Sequence, residues 1–147
     1  MEFLIEYGYI GLFVASFLAA TILPFSSEFL LGILLLNNCD PYYTITVATF
    51  GNVLGSVANY GLGCWGGYLL LRKCLRYSQK DILVAKQRFG KYGTFSLIFA
   101  WVPIIGDPLT VAAGLLKINF ILFLTLVTVG KLGRYIVLGL SILSFGN

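Results

Sequence analysis

Positions 41–71, between Asp40 and Arg72, hold 31 consecutive residues without a charge. About 20 apolar residues suffice to cross the hydrocarbon of a bilayer, and a lone segment does so only as a helix, which satisfies its own backbone hydrogen bonds. The stretch is therefore expected to form a tilted transmembrane helix at about 43–71, with interfacial ends. The rest of the chain leaves no water-soluble alternative. It is 59% hydrophobic and only 11% charged, with a mean hydropathy of +0.91. Soluble domains carry about 25% charged residues, so too few charges remain here to cover a water-facing surface. Disorder is excluded by the same numbers.

The cations are unevenly spread. Arg72, Lys73, Arg76, Lys80, Lys86, Arg88 and Lys91 lie within residues 72–91, opposed only by Asp81, so this segment carries +6 and the remainder −2. By the positive-inside tendency it faces the cytoplasm. A nucleic-acid patch is the rival reading. It lacks interleaved aromatics and sits between apolar spans, so no nucleic-acid partner is expected. Ser78-Gln79-Lys80-Asp81 reads as a capping box. Behind it Ile82, Ala85 and Phe89 share a face, and Lys80, Lys86 and Lys91 turn away. The segment reads as a short helix on the anionic inner leaflet or as a solvated linker.

Histidine is absent, which removes most metal sites and every histidine-based triad; no metal or cofactor is expected. Cys39, Cys64 and Cys74 show no CxxC spacing and read as buried or interfacial thiols. The N-terminus carries Glu2 and Glu6 where a secretory leader has lysines, so it reads as mature sequence.

A second span runs at about 119–145, interrupted by Lys131 and Arg134. Two other apolar stretches, about 7–36 and 92–116, are broken in the middle. The first break is LPFSSE, with Pro24 and Glu28; the second is WVPIIGDP, with Pro103, Gly106, Asp107 and Pro108. Proline removes a helix donor and clashes with the preceding turn. About a dozen residues on each side of the second break are too few for two crossings, so a re-entrant hairpin is expected. Irregular backbone at that depth must be buried in protein or line a wet cavity.

The halves align without gaps at an offset of 79: Pro24 on Pro103, Glu28 on Asp107, Leu36 on Leu115, Thr46 on Thr125, Gly51 on Gly130, Asn52 on Lys131. Each half reads as a hairpin followed by a spanning helix. With residues 72–91 cytoplasmic, the first hairpin enters from outside and the second from the cytoplasm. The expected fold is thus an all-α, multi-pass single membrane domain over residues 1–147, an inverted repeat of re-entrant hairpins and transmembrane helices. An impermeant thiol reagent is then expected to reach Cys74 from the cytoplasm and Cys39 from outside.

LPFSSE, GNVLGSVANYGLG, WVPIIGDPLTVAAGLL and GK-x(2)-RY, in this order and spacing, resemble the DedA family of bacterial inner-membrane proteins, closest to its short YqaA-type branch, which is related to the VTT (SNARE-associated Golgi protein-like) domain. The resemblance covers nearly the whole chain. It implies facing re-entrant hairpins and a transporter, a flippase or scramblase, of a lipid phosphate such as undecaprenyl phosphate or a phospholipid. Glu28 matches the family's hairpin carboxylate. Gly55-Ser56 stands where relatives usually have glycine-aspartate. Trp101 and Asp107 stand where relatives have arginines around the second hairpin's proline-glycine. These departures leave the substrate open.

Glu28, Asp107, Lys131 and Arg134 all fall in apolar sequence. Each costs about 2.5–3.5 kcal/mol at a helix centre, so they are expected to cluster, either as internal glue or as a site. In the site reading Arg134 and Lys131 take a lipid phosphate. Glu28 and Asp107 compete for the same cations and couple transport to protons. Asn52, Ser56 and Asn59 form a polar stripe facing the hairpins, and Gly51-x-x-x-Gly55 and Gly63-x-x-x-Gly67 allow close packing. Tyr42, Tyr43, Trp65 and Tyr68 read as interfacial or packing aromatics. An enzyme is not expected, although Ser26 or Ser27 beside Lys131 leaves a Ser–Lys pair open. A non-transporting assembly or envelope-integrity subunit and a homo-oligomer also stay open. Membrane lipids are the expected partners.

Overall fold

The computed structural model describes residues 2–21, 26–65, 80, 93–102 and 106–146. Those residues form helices α1 (Glu2–Thr21), α2 (Ser26–Leu36), α3 (Pro41–Trp65), a 3₁₀ helix (Gly93–Trp101), α4 (Gly106–Leu115) and α5 (Phe120–Phe145), with no strand among them. Pro24, Pro103, Tyr68, Gly67, Cys74 and, except for the exposed Lys80, the basic segment 72–91 lie outside the described residues.

Element lengths follow the expected pattern with two departures. At 1.5 Å per residue α5 is about 39 Å long. It is the one helix among the described residues both long and apolar enough to cross a membrane. Only 28% of its most apolar stretch is buried, with Ile121, Val137 and Leu140 exposed while Lys131 and Tyr135 point inward. A core helix of a soluble protein has the opposite polarity. Helix α3 is long enough at 25 residues, but its asparagines, serine and glycines make it less apolar. Helices α2 and α4, with 11 and 10 residues, are about 15–17 Å long, half a hydrocarbon core. Helix α1 departs, because its 20 residues exceed the dozen that a hairpin arm calls for. The arm before α4 departs too, being a 3₁₀ helix of nine residues where such runs are seldom longer than three or four.

Two compact units divide the chain: residues 1–55 with 131–147, and residues 56–130. The first has a core of Leu12, Leu31, Leu34, Leu35, Cys39, Ala48 and Tyr135. There α1 packs along α2, and α3 seats on α1. A Cβ on Gly51 would stand 2.5 Å from the Phe13 carbonyl oxygen, and one on Gly55 2.6 Å from that of Phe17. The Gly51-x-x-x-Gly55 stripe is therefore used inside the molecule.

The second unit has a core of Leu97, Ala100, Leu109, Ala112, Ala113, Phe123 and Val127. The 3₁₀ helix packs on α4, and α4 lies backbone to backbone against α3. A Cβ on Gly114 would sit 2.1 Å from the Tyr60 carbonyl oxygen, and one on Gly63 2.3 Å from that of Val111.

The α2–α3 and α4–α5 connections are built alike, 79 residues apart. Asn38 (φ 59°) and Lys117 (φ 51°) take the left-handed conformation. Cys39 N donates to Leu34 O and Asn38 N to Leu35 O; Ile118 N donates to Ala113 O and Lys117 N to Gly114 O. These are paired Schellman caps. The next helix is then capped by Asp40 Oδ1, which accepts from Tyr42 N (2.8 Å), and by Asn119 Oδ1, which accepts from Ile121 N (3.0 Å). Pro41 follows its cap at the first helical position, where its missing N–H costs nothing.

One expectation is corrected here. As the residue that follows the left-handed turn, Cys39 folds its side chain back onto the core and is 8% exposed. It is not a thiol that an impermeant reagent reaches.

Candidate functional site

The first unit gathers its polar side chains around the hydroxyl of Tyr135. Tyr135 is fully buried on α5. Its hydroxyl accepts from Asn52 Nδ2 of α3 at 3.0 Å and lies 2.9 Å from Ser27 Oγ at the start of α2. Ser16 of α1, fully buried, stands beside the same hydroxyl. One turn earlier on α5, Lys131 Nζ donates to Asn52 Oδ1. An ammonium can only donate, so Lys131 orients the Asn52 amide with its oxygen towards itself and its NH₂ towards Tyr135. A chain of hydrogen bonds therefore runs from Lys131 through Asn52 and Tyr135 to Ser27, with every member at most 2% exposed.

An ion pair lies next to this chain. Arg134 of α5 pairs with Glu28 in the first turn of α2, the two side chains being 14% and 25% exposed. The carboxylate also suits the positive end of the α2 dipole. The Arg134 guanidinium lies 5.9 Å from the centroid of the Tyr135 ring, within cation–π range.

Of the four intramembrane charges expected to cluster, the structure thus joins Glu28 to Arg134 and gives Lys131 a neutral amide. Asp107 belongs to the second unit, half-buried in the first turn of α4 between the buried Gly106 and Pro108. The stripe Asn52, Ser56, Asn59 is buried along its length, at 2%, 0% and 0% exposure. Asn59 Nδ2 donates to Thr110 Oγ1 of α4 at 3.2 Å, and Thr110 Oγ1 donates to Asp107 O at 2.7 Å. Asn52 bonds instead to Lys131 and Tyr135 of α5, because it faces that edge of the helix. Ser27, considered above beside Lys131, is bonded to Tyr135.

Tyr135 and Thr110 escaped the sequence reading, and Ser27 entered it only as one half of a Ser–Lys pair. The one available signal for Tyr135 was adjacency: it completes GK-x(2)-RY. Tyr42 and Trp65, at the two ends of α3, are 86% and 94% exposed, as interfacial aromatics are expected to be.

Comparison with known proteins gives a consistent picture. The profile of the VTT domain matches residues 22–143. The chain is 35% identical over 127 residues to inner membrane protein YqaA of Escherichia coli, covering 86% of this chain and 84% of that protein. It matches inner membrane protein YqaA of Shigella flexneri to the same extent. An uncharacterised protein of Haemophilus influenzae is 33% identical over 137 residues, with 86% and 82% covered. No solved structure matches.

Proposed function

The chain belongs to the VTT-domain family of membrane proteins, known also as DedA, and we propose that it moves a lipid phosphate across the inner membrane as a flippase or scramblase. What carries this reading is the buried Lys131–Asn52–Tyr135–Ser27 chain beside the Glu28–Arg134 pair, set in helices whose outer surface is apolar. Ionisable groups at membrane depth mark substrate or proton pathways by default. Arg134 offers a planar fork that suits two phosphate oxygens, and Lys131 a second positive charge. Glu28 holds Arg134 until an anionic headgroup takes its place. Protonating Glu28, or Asp107 in the second unit, weakens the carboxylates' hold and couples the cycle to a proton gradient.

The single membrane domain is arranged, in this proposal, as an inverted repeat with re-entrant hairpins and with residues 72–91 in the cytoplasm. Two observations support it. The cap-and-turn connection recurs at the offset of 79. Lys131 bonds to Asn52, its own counterpart, and contact between counterparts is what an internal twofold produces.

The test uses the purified full chain in liposomes, with labelled polyprenyl phosphate, phosphatidate and phosphatidylcholine. Faster transbilayer movement of the phosphate lipids than in protein-free vesicles, with the lipid chemically unchanged, is the expected result. Unmoved lipid overturns the proposal in favour of an assembly subunit, and a converted lipid overturns it in favour of an enzyme.

A further inference from the structure

The Tyr135 hydroxyl is hydrogen-bonded to groups from two other helices of the first unit, Ser27 of α2 and Asn52 of α3, with Ser16 of α1 nearby. A phenolic hydroxyl has one proton. Here it accepts from the Asn52 amide and shares a further hydrogen bond with Ser27 Oγ. The amide is held from both ends, by the Lys131 ammonium at Oδ1 and by the phenol at Nδ2. Without the phenolic oxygen, Nδ2 loses the acceptor that holds it at 3.0 Å, and the amide is less firmly held against rotation. Its oxygen would then no longer stay fixed on Lys131. At the other end, Ser27 immediately precedes Glu28, so the same hydroxyl also ties down the turn that aims the carboxylate at Arg134.

We propose that Tyr135 is a positioning residue, whose hydroxyl fixes Lys131 through the Asn52 amide and ties the Glu28 turn of α2 to α5, so that the two cations are held ready for an anionic headgroup. This rests on the lipid-phosphate reading for what the cations bind. The positioning itself does not depend on that reading.

Tyr135→Phe keeps the ring, its packing and its contact with Arg134, and removes only the hydroxyl. The full chain in detergent is treated with a membrane-permeant acylating reagent, and the rate at Lys131 is read by peptide mass spectrometry, with exposed Lys117 as the internal reference. The variant is expected to melt cooperatively and to acylate Lys131 about tenfold faster than the parent, the scale of losing one hydrogen bond in a charged chain. Lys117 should be unchanged. Because Tyr135 acts through Asn52, Tyr135→Phe/Asn52→Leu should react no faster than Asn52→Leu alone. In liposomes the half-saturating level of lipid phosphate should rise about tenfold while the maximal rate moves less than about twofold.

An unchanged rate at Lys131, or additive effects in the double variant, overturns the proposal whatever transport does. Faster labelling together with a parent that moves no lipid upholds the positioning and sinks the transport reading instead. If Tyr135→Phe does not melt cooperatively, Asn52→Leu removes the relay between the hydroxyl and Lys131. A parental labelling rate at Lys131 in that variant also overturns the proposal.

Discussion

Where the first unit sets Tyr135 between Asn52 and Ser27, the second unit has Ser56 and Gly106 at the counterparts of Tyr135 and Ser27. Where the first pairs Glu28 with Arg134, the counterparts are Asp107 and Gly55. The reverse also holds. The Asn59–Thr110 hydrogen bond of the second unit occupies the counterparts of Leu138 and Leu31, which belong to the apolar packing of the first. Both units nevertheless use the same left-handed turn, the same Asx cap and the same glycine-mediated approach of helices. The shared turn, cap and helix approach therefore do not depend on an ion pair at the place of Glu28–Arg134, whose counterparts are Asp107 and Gly55, and the proposed site is laid over that common architecture.

The largest expected effect bears on whether the two halves are inverted copies. Asn37 and Leu116 are exposed counterparts, one residue before each left-handed turn. In a chain with its native cysteines replaced, Asn37→Cys should react with an impermeant maleimide only from the external face and Leu116→Cys only from the cytoplasmic face. Labelling of both from one side breaks the inverted arrangement.

Next comes the energetic contrast. Arg134→Met strands a mostly buried carboxylate and should cost about 3–5 kcal/mol in detergent unfolding, most of it recovered in Glu28→Gln/Arg134→Met. Thr110→Val, in the second unit, removes neutral hydrogen bonds and should cost about 1–2 kcal/mol. Equal losses would erase the distinction between the units.

The smallest effect sharpens the shared part. Lys117 holds a left-handed conformation that costs a non-glycine residue about 1–2 kcal/mol, less for Asn38, whose short polar side chain suits it. Lys117→Gly should therefore raise stability by up to about 1 kcal/mol, and Asn38→Gly by less. The readout is the unfolding midpoint in the same detergent.

The sequence carried the features that depend on residue type along the chain: uncharged length, the breaks, the offset of 79 and the two cations of α5. It did not show which cation pairs with which carboxylate. That depends on how α2 sits against α5, and balanced charges fit several registers. Tyr135 was invisible for a related reason. A tyrosine in an apolar helix packs equally well with its hydroxyl in the interface or in the core, and only the convergence of Ser16, Ser27 and Asn52 distinguishes them. Cys39 reads as a buried or interfacial thiol, and it is the Schellman turn, which directs the residue at its place inward, that decides for burial. The half-length of α2 and α4 was legible from the breaks. The full length of α1 was not, because nothing in its apolar sequence marks a stop before Thr21.

The central claim, that the charges of the first unit serve an anionic headgroup, is tested most directly by lipid-phosphate transport in Lys131→Gln. The variant keeps a hydrogen-bonding amide at the step where the other half already has Asn52. Asn59→Leu, which removes the neutral Asn59–Thr110 hydrogen bond of the second unit, is measured alongside it. Lys131→Gln should insert and melt like the parent but lose one charge-assisted hydrogen bond to the phosphate, about 1.5–3 kcal/mol, so that transport falls about ten- to a hundred-fold. Asn59→Leu should fall by far less in the same assay. Transport at the parental rate in a correctly inserted Lys131→Gln, or an equal loss in both variants, contradicts the account.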